Sequence, residues 1–132
     1  MPVPQKRYLF VANRDSDTIT SYGIDDEGAL SQLDEVQQDS PAPLAVDPLR
    51  NVLYAGSLQP QTVTAYSIDH GSGALTSIAT TPLGARPVYL AVDHLGSTLL
   101  MASYGGNVAA SFALAPDGAV MESSGRCGGG LC

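Results

Sequence analysis

Basic residues, cysteines and histidines are scarce in this chain of 132 residues, which has six Lys and Arg, two Cys, two His and no Trp. Six scattered cations within a net charge of -7 exclude nucleic acid or an anionic membrane as partner, because a phosphate backbone is held by clustered Lys and Arg. No apolar run approaches the ~20 residues of a membrane span, and the opening, Met1 to Arg7, has no apolar signal core, so a cytoplasmic location is expected. Cys127 and Cys132 are too few for a structural zinc site. They form either a labile disulfide or two free thiols in a Gly-rich tail, residues 125–132, that is expected to be disordered. The chain lacks a Gly-x-Ser-x-Gly elbow and a Gly-Lys-Ser or Gly-Lys-Thr phosphate loop, and no cofactor or metal is implied.

What the chain does have is repetition. Leu9-Phe10-Val11-Ala12-Asn13 matches Leu53-Tyr54-Ala55-Gly56-Ser57 and Leu99-Leu100-Met101-Ala102-Ser103, at spacings of 44 and 46 residues. Tyr22, Tyr66 and Phe112 follow in step, and Gly28-Ala29-Leu30, Gly73-Ala74-Leu75 and Gly118-Ala119-Val120 keep the same phase. Short strands repeating at this length are the mark of a β-propeller, whose blades are four-stranded sheets around a channel. The commonest propeller repeat carries a Trp-Asp pair, which a chain without Trp cannot have.

The middle repeat reads as strand A over 44–47, B over 52–57, C over 62–68 and D over 75–81, separated by Pro48, Pro60 and the His70-to-Gly73 cluster. Strand B is continuously apolar, as expected of a strand covered on both sides, whereas C alternates. Ala12, Gly56 and Ala102 recur at one position of B, where a small residue lets neighbouring sheets approach. The third repeat supplies A over 88–93, B over 98–103, C over 107–114 and a weak D after Ala119. The phrase Leu44-Ala45-Val46-Asp47 returns as Leu90-Ala91-Val92-Asp93 but has no counterpart before Leu9. The expected fold is therefore all-β: a partial β-propeller of about three four-stranded antiparallel blades over residues 1–124, in repeats of about 8–51, 52–97 and 98–124. Three blades do not close a ring, so a truncated form of a longer protein is expected.

Alternating strand directions sort the loops onto two faces. Arg14, Asp15, Asp17, Ser40 to Pro43, Gln59 to Gln61, Arg86, Pro87 and Tyr104 to Asn107 fall on the first face, with Asp26, Glu27, Asp47 to Arg50, His70, Asp93, His94 and Asp117 on the second.

The segment Gly84-Ala85-Arg86-Pro87-Val88-Tyr89-Leu90-Ala91-Val92-Asp93-His94, followed by Leu99 to Val108, resembles a blade of the propeller-type 6-phosphogluconolactonase family, as does Tyr8 to Asn13. The resemblance covers about residues 8–120 and is shared with other lactonase-like and cyclase-like propellers. It implies a seven-bladed ring and metal-independent hydrolysis of the sugar-phosphate lactone 6-phosphogluconolactone in the pentose phosphate pathway. Opening a lactone needs a base near the water, donors for the oxyanion and a cation for the phosphate. Arg86, ahead of the innermost strand, is the candidate cation, with Tyr89, Tyr104 and Asn107 as candidate donors. The plainer alternatives are a solvated rim arginine and a hairpin turn at 104–107. His70 and His94 read as turn residues on the opposite face, Asp15 and Asp17 as ordinary loop residues, and no catalytic residue is assigned. Two further readings remain: a non-catalytic propeller module that binds a partner or self-associates through its open edges, and a truncated product without independent function.

Overall fold

The computed structural model describes residues 6–103 and 107–128. Eleven strands form three antiparallel sheets among these residues. The first holds β1 (Arg7–Asn13), β2 (Thr18–Ile24) and β3 (Leu30–Gln37). The second holds β4 (Pro41–Asp47), β5 (Val52–Ser57), β6 (Thr62–Ile68) and β7 (Leu75–Pro82). The third holds β8 (Tyr89–Val92), β9 (Thr98–Ser103), β10 (Val108–Leu114) and β11 (Val120–Gly128). Each sheet is an up-and-down meander in chain order, and the inner strands β4 and β8 pack together more closely than the outer β7 and β11, so the sheets fan out like blades. The second and third blades begin at the Leu-Ala-Val-Asp strands read as A, β4 and β8.

The continuously apolar B strands are explained by two-sided burial. In β5, Val52 and Tyr54 face the third sheet in one core with Leu99 and Met101, while Leu53 and Ala55 face the first sheet in a second core with Ile19. All six residues of β5 are buried, whereas β9 alternates buried with more exposed positions because its far side has no neighbour. Leu100, the counterpart of Tyr54, is 44% exposed on that open flank, and Leu9, the counterpart of Leu53, is 40% exposed on the opposite one. The small residue expected in B is required at Gly56: a Cβ there would stand 2.8 Å from Pro43 Cγ and 2.9 Å from Pro87 Cγ, at the hub between second and third sheets.

The Gly-Ala-Leu phrases are the C-to-D turns. Gly28, Gly73 and Gly118 take φ of 83°, 74° and 96°, left-handed values that glycine adopts without strain, and each turn is closed by a backbone bond across it. Gly118 also carries an inter-blade bond, because the Tyr54 hydroxyl donates to its carbonyl at 2.7 Å. Burial first, and then the nearby Asp47 carboxylate, push the Tyr54 hydroxyl up to about 12. An unfolded tyrosine ionises near pH ~10, so this residue's contribution is complete below that value and is lost as pH rises toward 12. Tyr54→Phe is expected to cost about 1–2 kcal/mol at neutral pH, read from the urea midpoint, and to remove this alkaline dependence.

The fourth strand of the third blade differs from expectation. β11 runs through Gly128, so residues 125–128, expected in the tail, instead pair with β10, Ser111 opposite Gly125 and Val108 opposite Gly128. Strand pairing uses main-chain groups, which a Gly-rich segment also supplies to the open β10 edge. Cys127 is disulfide-bonded, and Cys132, the only other cysteine of the sequence, lies outside the described residues.

Candidate functional site

The B-to-C and D-to-A loops do share one face. There a cleft of about 550 Å³ opens between Gln59 to Gln61 and Arg86, floored by Leu58, Pro82 and Gly84. The chain reaches it through a cis peptide at Gln59–Pro60. Arg86 is exposed, and the only ion pair among the described residues lies elsewhere, so its guanidinium meets the cleft without a carboxylate partner. A cation flanked by two amide side chains suits an anion such as a phosphate. No imidazole or carboxylate lines this cleft, so its described residues can bind but offer no general base.

Of the candidate site residues that are described, Arg86, Tyr89 and Asn107, Arg86 lines the cleft and the other two do not. Tyr89 begins β8 opposite Ala102 and is 65% exposed, its side chain on the open flank of the third blade with Leu100. Asn107 is exposed at φ 50°, directly before β10. Tyr104 lies outside the described residues. Asp17 is a structural residue: its Oδ1 accepts the Ser40 N–H at 2.9 Å, and its carbonyl accepts the Gln38 N–H at 2.9 Å.

The opposite face carries both histidines, as expected, but His70 is more than a solvated turn residue. Its carbonyl accepts the Tyr8 hydroxyl, joining the first and second blades, and its Nε2 meets the Asn51 side-chain amide within the second. These residues border a second cleft, about 680 Å³, with Phe10 and Val46 as its apolar wall and Lys6 at its rim. Nearby, Asp69 Oδ1 accepts the N–H groups of Gly71 and Ser72 at 2.8 and 2.9 Å. The bonds from Ser72 and Gly71 hold its carboxyl below the usual range. No group of three or more His, Cys, Asp or Glu that could hold a metal ion occurs among the described residues.

Sequence reasoning missed two inter-blade staples. Gln38, in the loop after β3, is buried and donates from Nε2 to Ala55 O and Ser57 Oγ at 3.0 Å each, while its Oε1 accepts the Tyr66 hydroxyl at 2.6 Å. Asp47 is fully buried and pairs with Arg50 at 2.8 Å. The same guanidinium nitrogen bonds the Gly96 carbonyl of the third blade. A polar residue closing an apolar strand, as Asp47 does, is the signal that could have found the second staple; Gln38 carries none.

Residues 25–127 match the family model described as lactonase, 7-bladed beta-propeller. The chain is 32% identical over 117 residues to the 6-phosphogluconolactonase of Serratia proteamaculans (strain 568), covering 88% of this chain and 35% of that protein. It is 35% identical over 105 residues to the 6-phosphogluconolactonase of Sodalis glossinidius (strain morsitans), covering 77% of this chain and 31% of that one. The chain thus spans about a third of the length of these relatives. Among solved structures, the periplasmic gluconolactonase PpgL of Pseudomonas aeruginosa superposes with a TM-score of 0.83 at 17% identity, over 91% of this chain and 36% of that one, a likeness of fold.

Proposed function

Because the chain belongs to the seven-bladed β-propeller lactonase family, we propose that it serves a 6-phosphogluconolactonase-type hydrolase, contributing three blades of the ring that opens the lactone to its acid in the pentose phosphate pathway. The observation that carries this reading is the match to two relatives of that name across most of the chain. In this reading Arg86 takes the substrate phosphate in the first-face cleft. Gln59 and Gln61 across the cleft supply hydrogen bonds, water is the nucleophile, and no metal takes part. A phosphorylated, charged lactone is a substrate made and kept inside the cell, which goes with a cytoplasmic site of action. Among the described residues no helix is long and apolar enough to cross a membrane.

The test is lactone hydrolysis by the purified chain, measured against the spontaneous rate with and without a chelator. Activity that survives chelation, and a KM raised roughly ten- to a hundredfold by Arg86→Ala, is the expected result, since a charge-assisted phosphate contact is worth about 1.5–3 kcal/mol. A rate equal to the spontaneous background would remove catalysis from this polypeptide.

The open flanks favour a second reading, a binding module that associates with another copy. Leu9 and Leu100 are exposed where their counterparts Leu53 and Tyr54 are fully buried. Light scattering that shows a folded monomer at high concentration would count against it.

A further inference from the structure

Outward of the second-face cleft, and sharing Lys6 and Tyr8 with it, a notch of about 450 Å³ opens between the first sheet and the turn of the second at Gly71 and Ser72. A missing side chain makes it. Gly23 sits within β2, opposite Tyr8 of β1 and Ser31 of β3, so the three form one row across the sheet. The same row of the second sheet is Val52, Ser67 and Thr76, and the third sheet has Ala113 at the glycine position. A glycine inside a strand weakens it and often marks a place where another group approaches closely. The backbone does not demand this one: its φ lies outside the left-handed region, and a Cβ there would rest 3.4 Å from Leu33 Cδ1 and 3.6 Å from Ser31 Oγ. Leu33 leans toward the second sheet, where a Cβ on Gly73 would stand 2.9 Å from it and from the Tyr8 ring. It nevertheless stays 43% exposed, while Ile78, its repeat counterpart, packs into the core between the second and third sheets.

Two cations line the same notch. Lys6 Nζ donates to the Gly71 carbonyl at 2.7 Å and Arg7 Nη2 to the Asp25 carbonyl at 2.6 Å, both neutral acceptors, and the one ion pair among the described residues lies elsewhere. The Asp25 carboxylate closes its own turn, its Oδ1 accepting the Glu27 and Ala29 N–H groups at 2.9 and 2.8 Å.

We propose that this notch binds a small aromatic carboxylate, its ring laid on Leu33 and Tyr8 over Gly23 and its carboxylate taken by Lys6 and Arg7. A row that lacks one side chain leaves a shallow slot, which suits a flat ring. A carboxylate would exchange neutral acceptors for a charged one, and charge-assisted bonds are roughly twice as strong. An apolar floor with a few polar groups that fix orientation is the usual build of a small-molecule site. The site is independent of the lactonase reading, since it lies on the face opposite Arg86 and its ligand carries no lactone.

The experiment titrates 2-naphthoate into the intact, nitrogen-15-labelled chain, with 2-naphthalenemethanol as the neutral isostere and acetate as the charge alone. Saturable shifts of the Gly23, Leu33 and Ser72 amides are expected with naphthoate, at least threefold weaker binding of the alcohol, and no shifts with acetate at the same concentrations. Gly23→Val fills the slot with a residue that strands favour, and should abolish the shifts at Leu33 and Ser72 while the rest of the spectrum stays in place. Lys6→Gln combined with Arg7→Gln changes only exposed side chains, so it keeps the test decisive if the valine variant misfolds. The pair should weaken naphthoate roughly two- to tenfold and leave the alcohol unchanged. Equal binding of acid and alcohol, shifts centred on Gln59 and Arg86, or full affinity in a folded Gly23→Val chain would overturn the site.

Discussion

Replacing Gln38 by Leu is expected to destabilise the fold by about 3 kcal/mol, seen as a lowered urea midpoint with an unchanged slope. The leucine is close in size and apolar, so a simple burial argument would make it neutral. The side chain it removes, however, satisfies three partners of the second blade at once: Ala55 O, Ser57 Oγ and the Tyr66 hydroxyl. The two hydroxyls can rotate in search of other acceptors, but the Ala55 carbonyl cannot, and an unpaired buried polar group costs about 1–3 kcal/mol. Tyr66 itself is buried, and burial raises its pKa, so the hydroxyl stays protonated and needs an acceptor. A double-mutant cycle checks the mechanism. Gln38→Leu combined with Tyr66→Phe should cost about 1 kcal/mol less than the two singles added together, because the pair shares one bond. Strict additivity would mean that Gln38 acts only through the β5 groups.

Asp47→Ala should be comparably damaging, at about 2–3 kcal/mol. Breaking a fully buried pair by removing one partner costs about 3–5 kcal/mol, and the value here is lower because Arg50 keeps 28% of its side-chain surface in water. Three interactions fail together: the bond from Arg50, the bond that the Leu49 N–H donates to Oδ1 at 3.0 Å, and the positioning of the guanidinium on the Gly96 carbonyl. Asp47→Asn separates them, since an amide oxygen can still accept from Leu49 while the charge is gone, and should cost less than half as much. Gly96 is matched to this staple. It sits at φ 67°, and a Cβ would come 3.1 Å from the Arg50 nitrogen, so the residue at the Arg50 position of the third repeat has to be small for the arginine of the second to reach it.

Strand identity was legible in the chain itself. Val52–Ser57, Thr62–Ile68 and Thr98–Ser103 fall where alternation, apolar runs and turn residues put them, because a blade repeats the same local chemistry three times and each copy reinforces the others. The all-β class and the two loop faces follow from the same pattern, since antiparallel meanders leave no choice about which turns share a side. The Gly-rich end was misread for a physical reason: main-chain pairing of Gly125 to Gly128 with β10 leaves no trace in side-chain pattern.

The candidate site divides along the same line. Arg86 could be placed on the correct face from topology, and the structure adds that Gln59 and Gln61 stand across the cleft from it. That Tyr89 points to the open flank instead was beyond the sequence, because it depends on which side of a pleated strand has a neighbouring blade. The sequence by itself determined the repeat, the strands and the turns, all of which are set by interactions within about fifteen residues. Only the tertiary structure decided which polar residues are buried staples and which apolar ones are left bare. Those depend on contacts between blades, 17 residues apart for Gln38 and Ala55 and 46 for Arg50 and Gly96, where the partner's identity is fixed by packing and no local pattern encodes it.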